Sequence, residues 1–214
     1  MHGRSISHII GAAFAAALTV SVASATPASA QGSTRSAAEL MDAVMWNREP
    51  IGGAFTLTDQ TGRARTDADF RGKLMLVYFG FTYCPDICPT DLQAIGLAMK
   101  ELGEQAADVQ PLFVTLDPQR DTTGHLAQYV PLFHPRLLGL TGSIDDVTKA
   151  ADAYRVYFKR VVTGPTADDY TVDHSAFIYL MGRDGKYLGF FPPGTDAGKI
   201  VGMIKPYLAG KAER

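Results

Sequence analysis

Residues 73–81 are KLMLVYFGF, a nearly continuous apolar run that begins directly after Gly72. A run of this kind predicts a strand that is buried on both faces, as in a parallel sheet with helices on either side. The segment TYCPDICPT follows at residues 82–90. Apolar residues then recur at the spacing of a helix, at Leu92, Ile95, Met99 and Leu102. The strand and the helix together predict the first β-α unit of an α/β domain.

The rest of the body alternates predicted strands with predicted helices and closes with a hairpin and a helix. Ala54–Thr58 and Arg63–Thr66 flank a turn signal and predict a small hairpin ahead of the buried strand. The later predicted elements are a strand at Pro111–Asp117, a helix from Asp121 to about Phe133, a strand at Leu137–Leu140, a helix at Asp145–Tyr154, a hairpin of Ser175–Met181 and Lys186–Phe191, and a helix at Asp196–Leu208. This order predicts an α/β fold with a mixed central sheet, helices on both faces and an extra N-terminal β-hairpin.

Residues 1–30 have the three-part composition of a secretory signal peptide. A short polar start with one cation, Arg4, precedes the apolar stretch Ile9–Val22, and small residues follow it. The Ala-Ser-Ala at 28–30 predicts cleavage before Gln31, with a second candidate site after Ala25 and an uncleaved N-terminal anchor as the competing interpretation. We assign residues 31–48 to a linker and residues 49–210 to a single domain.

The composition excludes several classes of protein. An apolar fraction of 46% excludes wholesale disorder, and a formal net charge of −2 argues against a broad phosphate-binding surface, so no nucleic-acid partner is expected. The body after residue 30 contains no apolar run long enough to span a membrane. Two cysteines cannot build a scaffold of several disulfides, which makes them more informative as a pair.

Cys84 and Cys88 lie where the first buried strand passes into its helix. Pro89 suits the first helical position, which would place Cys88 near the N-cap, where the helix dipole lowers the pKa of a thiol. The residues alone leave three interpretations open: a structural disulfide, a redox pair and two ligands of a shared metal. The structural disulfide is the weakest of the three, because closing so short a loop constrains the unfolded chain little.

Four motifs in order resemble the Sco/SenC family over about residues 50–208: FGFTYCPDICP at 79–89, TLDPQRD at 115–121, LTG at 140–142 and VDHS at 172–175. The resemblance implies a thioredoxin-like fold in which C-x-x-x-C replaces the usual C-x-x-C. It also implies one copper ion per chain, Cu(I) and/or Cu(II), bound by Cys84, Cys88 and His174.

The same resemblance implies a function and a set of partners. It implies a metallochaperone that delivers copper to the binuclear copper site of cytochrome c oxidase subunit II, and the implied partners are subunit II or another copper chaperone. On the same atoms, the dithiol is a candidate to reduce the cysteines of that target before metal insertion. The predicted signal peptide or anchor, and not the resemblance, predicts the location, which is the periplasm or the outer face of the inner membrane, with membrane association through the N-terminus if the anchor is retained.

The chemistry of the three side chains agrees with copper. Two thiolates and an imidazole suit copper, and Cu(II) has the highest affinity in the divalent series. Zinc fits less well, because a structural zinc site usually has four protein ligands and only three are apparent here. A thiol–disulfide oxidoreductase is the alternative function, disfavoured by the C-x-x-x-C spacing, and a redox or copper sensor is a third.

The remaining candidates carry weaker expectations. Asp173 adjoins His174 and is expected either to orient the ligand or to be a solvated loop residue, and His174 is expected just before a strand of the terminal hairpin. Asp121 is expected to cap the following helix. His125 and His134 are expected on the surface, away from the cysteines.

Export can be tested on the full-length chain. If residues 1–30 are a signal peptide, the protein should appear outside the cytoplasm in a form that begins near Gln31. N-terminal sequencing of the exported protein measures this directly. An intact Met1 in the membrane fraction would instead establish the uncleaved anchor.

Overall fold

The structure is a computed structural model that describes residues 50–209. The predicted signal peptide and linker lie outside the described residues, as do residue 49 and residues 210–214. Within the described part, no helix is long and apolar enough to cross a membrane.

Residues 50–209 form nine strands and four α-helices. The strands are β1 (Thr56–Asp59), β2 (Ala64–Thr66), β3 (Leu74–Gly80), β4 (Val109–Thr115), β5 (Leu138–Thr141), β6 (Phe158–Val162), β7 (Tyr170–His174), β8 (Ile178–Met181) and β9 (Tyr187–Phe191). The helices are α1 (Ile87–Leu102), α2 (Thr123–Tyr129), α3 (Ile144–Ala153) and α4 (Ala197–Leu208).

Seven strands form one mixed sheet in the order β2-β1-β5-β4-β3-β8-β9. Strands β3, β4 and β5 are parallel, while β8 pairs antiparallel with β3 and β1 pairs antiparallel with both β2 and β5. The mixed sheet confirms the prediction, and the hairpin of β1 and β2 stands at one edge of the sheet. Strand β3 lies in the middle of this sheet, and the segment that leads into α1 follows directly from its carboxyl end.

The core lies on both faces of β3 and β4, where every residue is buried. The four apolar positions predicted to face inward from α1 are buried: Leu92, Ile95, Met99 and Leu102. In α4, Ile200 and Ile204 are buried, whereas Met203 is 42% exposed. Ile204, and not its neighbour Met203, therefore faces the core.

Strands β6 and β7 form a separate two-stranded antiparallel sheet that the sequence pattern did not predict. Four of the five residues of β6 are exposed, so the strand lacks the apolar alternation that identifies a half-buried strand. His174 is the last residue of β7, rather than a loop residue ahead of the terminal hairpin as expected.

The start of α2 also differs from the expectation. Thr122 caps the helix, with its hydroxyl accepting the backbone N–H of His125 at 3.3 Å. Asp121 is fully buried instead, and its carboxylate accepts hydrogen bonds from the hydroxyls of Thr82 at 2.5 Å and Thr115 at 2.6 Å. A carboxylate with buried partners on other elements cannot also turn toward its own helix.

Asp59 is a buried carboxylate that fixes the β1–β2 hairpin. Its oxygens accept hydrogen bonds from the backbone N–H of Thr61 at 2.8 Å, the backbone N–H of Arg63 at 3.1 Å and Nε of Arg65 at 2.7 Å. Burial alone would raise the pKa of Asp59, but the hydrogen bonds from Thr61 and Arg65 outweigh it and lower the pKa to about 2. The charged form is therefore the one that the hairpin stabilises.

Asp59→Asn should lower the free energy of unfolding at pH 7 by about 1–3 kcal/mol, because it replaces a carboxylate held by charge-assisted hydrogen bonds. A carboxyl group whose pKa is lower in the folded state stabilises the fold above its unfolded pKa of about 3.9 and loses this contribution as the pH falls toward the folded value. The difference in the free energy of unfolding between wild type and variant should therefore narrow as the pH falls from about 4 to about 2. Denaturant unfolding at several pH values measures it, with the exposed Asp168→Asn as a control. A gap that stays constant down to pH 2 would contradict this assignment.

Candidate metal centre

The cysteines occupy the junction between β3 and α1. Helix α1 begins at Ile87 with Asp86 at its N-cap, so Cys88 is the second helical residue and Cys84 lies in the preceding turn. The sequence predicted Pro89 at the first helical position, but it is the third residue of the helix. A proline is tolerated there because the N–H groups of the first turn have no partner within the helix.

The sulfur of Cys88 lies against the backbone of β3. Cys88 is fully buried, whereas Cys84 is partly exposed, and both are free thiols. A Cβ placed on Gly80 would stand 2.9 Å from Sγ of Cys88 and 3.1 Å from the ring of Tyr78. Glycine at the end of β3 therefore makes the room in which the sulfur sits.

The structure brings His174 to the same place, 86 residues along the chain from Cys88. Nε2 of His174 lies 3.5 Å from Sγ of Cys88, while Nδ1 lies 3.0 Å from the carbonyl oxygen of Ser175. Since a carbonyl oxygen can only accept, Nδ1 is the donor in this hydrogen bond, and Nε2 is the ring nitrogen turned toward the sulfurs. Phe81 packs its ring edge-on to the imidazole, with 5.9 Å between ring centroids.

Asp173 does not fill the orienting role that was one of its two expected roles. Its side chain is exposed, and successive side chains of a strand point to opposite faces, so it lies away from the imidazole of His174. The carbonyl oxygen of Ser175 orients the ring instead. Sequence could not show this, because every residue carries the same carbonyl group.

The two thiols share one proton unequally. The hydrogen bond from Cys88 is the largest cause that lowers the pKa of Cys84 to about 3, against the effect of burial, and His174 and backbone N–H groups add to it. The hydrogen bond to Cys84 and burial raise the pKa of Cys88. The thiolate therefore resides on the accessible Cys84. The expectation of a lowered pKa at Cys88 was wrong because that thiol is held in a hydrogen bond to Cys84 and is buried.

The three donors stand close together without forming a closed cage. Among the described residues, no set of three or more His, Cys, Asp or Glu side chains is already arranged around a metal position. Cys88 and His174 are in contact, and both lower the pKa of Cys84, which indicates that its sulfur lies beside them. These side chains would therefore have to rotate to direct all three donors at one ion.

His125 lies nearer the cysteine segment than the sequence suggested. Its Nε2 is 2.8 Å from the hydroxyl of Thr82, and its ring stacks on that of Tyr83 with 5.5 Å between centroids. Both contacts are made to residues directly before Cys84. His134 is half-buried, and its Nδ1 accepts the backbone N–H of Arg136 at 3.2 Å. Only His125 thus departs from the expectation that these histidines lie away from the cysteines.

Arg120 is the residue near the site that sequence reasoning missed. Its side chain forms an ion pair with Asp117 and lies over the ring of Tyr170, with 3.7 Å between the guanidinium carbon and the ring centroid. Nη1 donates to the carbonyl oxygen of Tyr170 at 3.1 Å. The motif TLDPQRD contained the arginine, but its partner lies on a strand that was not predicted.

Comparisons with known proteins give a family, a relative and two related structures. The SCO1/SenC family model matches residues 44–209. Protein SCO2 homolog, mitochondrial, from Bos taurus is 44% identical over 161 residues, which cover 73% of this chain and 59% of that protein. The chain therefore spans less than two thirds of the length of that relative.

Two solved structures share the fold over most of the chain. Bradyrhizobium japonicum ScoI with copper bound is 43% identical with a TM-score of 0.67, covering 73% of this chain and 99% of that one. BsSco, described as having a disulfide switch and as a member of the Sco family of cytochrome c oxidase assembly proteins, is 25% identical with a TM-score of 0.57, covering 75% and 96%. These similarities confirm the predicted thioredoxin-like fold class.

Gly80→Ala tests the packing of the Cys88 sulfur. The added methyl group would overlap Sγ and the Tyr78 ring, so we expect the free energy of unfolding to fall by about 1–3 kcal/mol. Alkylation of Cys88 in the folded protein should also become faster. Both are measurable, by denaturant unfolding and by peptide mapping after iodoacetamide treatment.

Gly202→Ala is the matched control for Gly80→Ala. Gly202 lies in α4, and a Cβ there would meet no atom within 4 Å. Alanine at this position should leave cysteine reactivity unchanged and stabilise the fold by roughly 0.5–1 kcal/mol through helix propensity. Equal behaviour of the two variants would contradict the close packing at Gly80.

Proposed function

The chain belongs to the SCO1/SenC family, and we propose that it binds one copper ion through Cys84, Cys88 and His174 in the assembly of cytochrome c oxidase. The observation that carries the proposal is the contact of 3.5 Å between Nε2 of His174 and Sγ of Cys88, beside a second sulfur at Cys84. Soft sulfur donors suit Cu(I), and the imidazole adds a donor that suits Cu(II).

The pKa of Cys84 and the orientation of His174 support copper binding. The lowered pKa of Cys84 favours its thiolate, and the hydrogen bond of Nδ1 to Ser175 turns Nε2 of His174 toward the sulfurs. Cys88 must release its proton on binding, so the affinity should rise with pH. Partial exposure of Cys84 gives a partner's thiol or imidazole a route to exchange ligands with the bound ion.

Delivery to the binuclear copper site of oxidase subunit II is the finer part of the proposal. A chaperone site must hold copper and also release it, which three protein ligands with one accessible sulfur allow. Another copper chaperone is the proposed source of the ion. The proposed location is the periplasm or the outer face of the inner membrane, reached through the predicted signal peptide or anchor at residues 1–30.

Thiol–disulfide exchange is the second candidate function. The accessible thiolate of Cys84 next to the protonated Cys88 is the arrangement in which one sulfur attacks a disulfide and the other resolves the mixed disulfide. The same pair could reduce the cysteines of the copper target before metal insertion. Copper affinity and disulfide-exchange rate, measured on one preparation, separate this activity from delivery.

Copper titration of the reduced protein under anaerobic conditions tests the ligands. Cys84→Ala or Cys88→Ala should abolish tight binding of both oxidation states, because each removes one of only two sulfur donors. His174→Ala should weaken Cu(II) by at least about 100-fold, since losing even an outer-shell partner of a metal costs about 10–100-fold. His134→Ala is the matched control and should bind as wild type does. An unchanged Cu(II) affinity and spectrum in folded His174→Ala would remove His174 from the ligand set.

The oxidised protein provides an independent control. A Cys84–Cys88 disulfide cannot supply two thiolates, so oxidation should abolish copper binding. In the reduced protein, copper at about a thousandfold excess over Kd should stabilise the fold by about 4 kcal/mol. Thermal unfolding of both forms with and without copper measures this. An equal stabilisation of the oxidised form would place copper elsewhere on the protein.

A further inference from the structure

The guanidinium of Arg120 touches each of the segments that surround the candidate site. It belongs to the TLDPQRD segment, and its carbon lies 4.7 Å from the ring centroid of Tyr83, the neighbour of Cys84. On the other side it lies 3.7 Å from the ring centroid of Tyr170, the first residue of the strand that ends in His174. One side chain therefore bridges the cysteine segment and the histidine hairpin.

Asp117 holds Arg120 and Tyr170 together. It forms an ion pair with Nε of Arg120 and accepts a hydrogen bond from the hydroxyl of Tyr170 at 2.7 Å. Asp117 is 5% exposed, and the Arg120 side chain is largely buried. Charge-assisted hydrogen bonds sheltered from water in this way are stronger and better defined than surface ion pairs.

The hairpin of β6 and β7 depends on such contacts for its position. Within the described residues, its strands pair with each other and not with the seven-stranded sheet. His174 follows Tyr170 by four residues, so a shift of Tyr170 along or away from the body moves the imidazole with it. The sulfur of Cys88, in contrast, is fixed by α1 and by β3.

We propose that Arg120 is a positioning residue for copper, which clamps Tyr170 and thereby holds His174 against the cysteines. The inference rests on the proposed copper site. Arg120 touches neither the sulfurs nor the imidazole by any contact described above, and it acts by joining Tyr170 to Tyr83 of the cysteine segment. Cu(II) depends on the nitrogen donor more than Cu(I) does, so the two oxidation states should respond differently to loss of the clamp.

Arg120→Ala is the direct test, with reduced protein titrated anaerobically for Cu(I) and with Cu(II) followed by its sulfur-to-copper absorption. We expect Cu(II) affinity to fall by about 10–100-fold, as for other residues that orient a metal ligand. Cu(I) affinity should remain within experimental error of wild type. In the metal-free protein, NMR signals of the His174 ring should broaden or shift, which reports hairpin position without copper.

Arg160→Ala is the matched control. Arg160 lies over the same ring of Tyr170, with its guanidinium carbon 3.5 Å from the centroid, yet its described contacts with other residues are to Gln119 and Ala167. It should leave both copper affinities and the His174 signals unchanged. If Arg160→Ala weakens Cu(II) as strongly as Arg120→Ala, the bridge to the cysteine segment is not what matters, and the inference is overturned.

Two milder variants keep the test decisive if Arg120→Ala does not fold. Arg120→Lys keeps the charge but loses the planar fork, and Tyr170→Phe loses only the hydroxyl bonded to Asp117. Each should selectively weaken Cu(II), by less than Arg120→Ala would. An equal loss of Cu(I) and Cu(II), or no loss of either, in a folded variant overturns the inference.

Failure of the inference is distinguishable from failure of the proposed function. If wild type binds neither form of copper, the proposed copper site itself is wrong. If wild type binds copper and His174→Ala loses Cu(II) while Arg120→Ala binds as wild type does, only the positioning role is wrong.

Discussion

The sulfur of Cys88 lies in the space that a side chain on Gly80 would fill, and the geometry of the site depends on this close approach. Gly80 is the last residue of β3, a strand in which every residue is buried. Helix α1 begins at Ile87, after the short segment that follows this strand. A cysteine in the first turn of α1 can then lie in the core while its neighbour Cys84 stays at the surface. One buried and one accessible sulfur are the result of this single close approach.

The difference in burial separates the chemistry of the two sulfurs. Charge is costly at Cys88 and is supported by hydrogen bonds at Cys84, so the pair carries one thiolate and one thiol. That state serves both of the functions considered for the site. Metal binding displaces the remaining proton, whereas disulfide exchange uses the thiolate as nucleophile and the thiol as resolving group. A copper site and a redox pair on the same atoms exclude each other at any one moment.

The histidine reaches the sulfurs from outside the seven-stranded sheet. It sits at the end of a two-stranded sheet that is held to the body by side chains rather than by a continuous ladder of backbone hydrogen bonds. Part of that attachment is made by Tyr170 of β7. Its ring lies under the guanidinium of Arg120, and its hydroxyl donates to Asp117, which forms an ion pair with Arg120. The nitrogen donor of the proposed copper site is therefore held by different contacts from those that hold the buried sulfur of Cys88.

The sequence by itself determined the main sheet, its helices and the position of the cysteines. Continuous apolar runs such as residues 73–81 and the helical spacing from Leu92 to Leu102 are set by burial, which sequence records directly. The motif resemblance also brought His174 together with Cys84 and Cys88. Only the tertiary structure decided which sulfur carries the charge, because the pKa of a thiol depends on burial and on neighbours distant in the chain. It alone also showed the β6–β7 hairpin, the Ser175 carbonyl behind His174 and the bridge at Arg120, since an exposed strand, a backbone oxygen and a contact across fifty residues leave no periodic signal in the sequence.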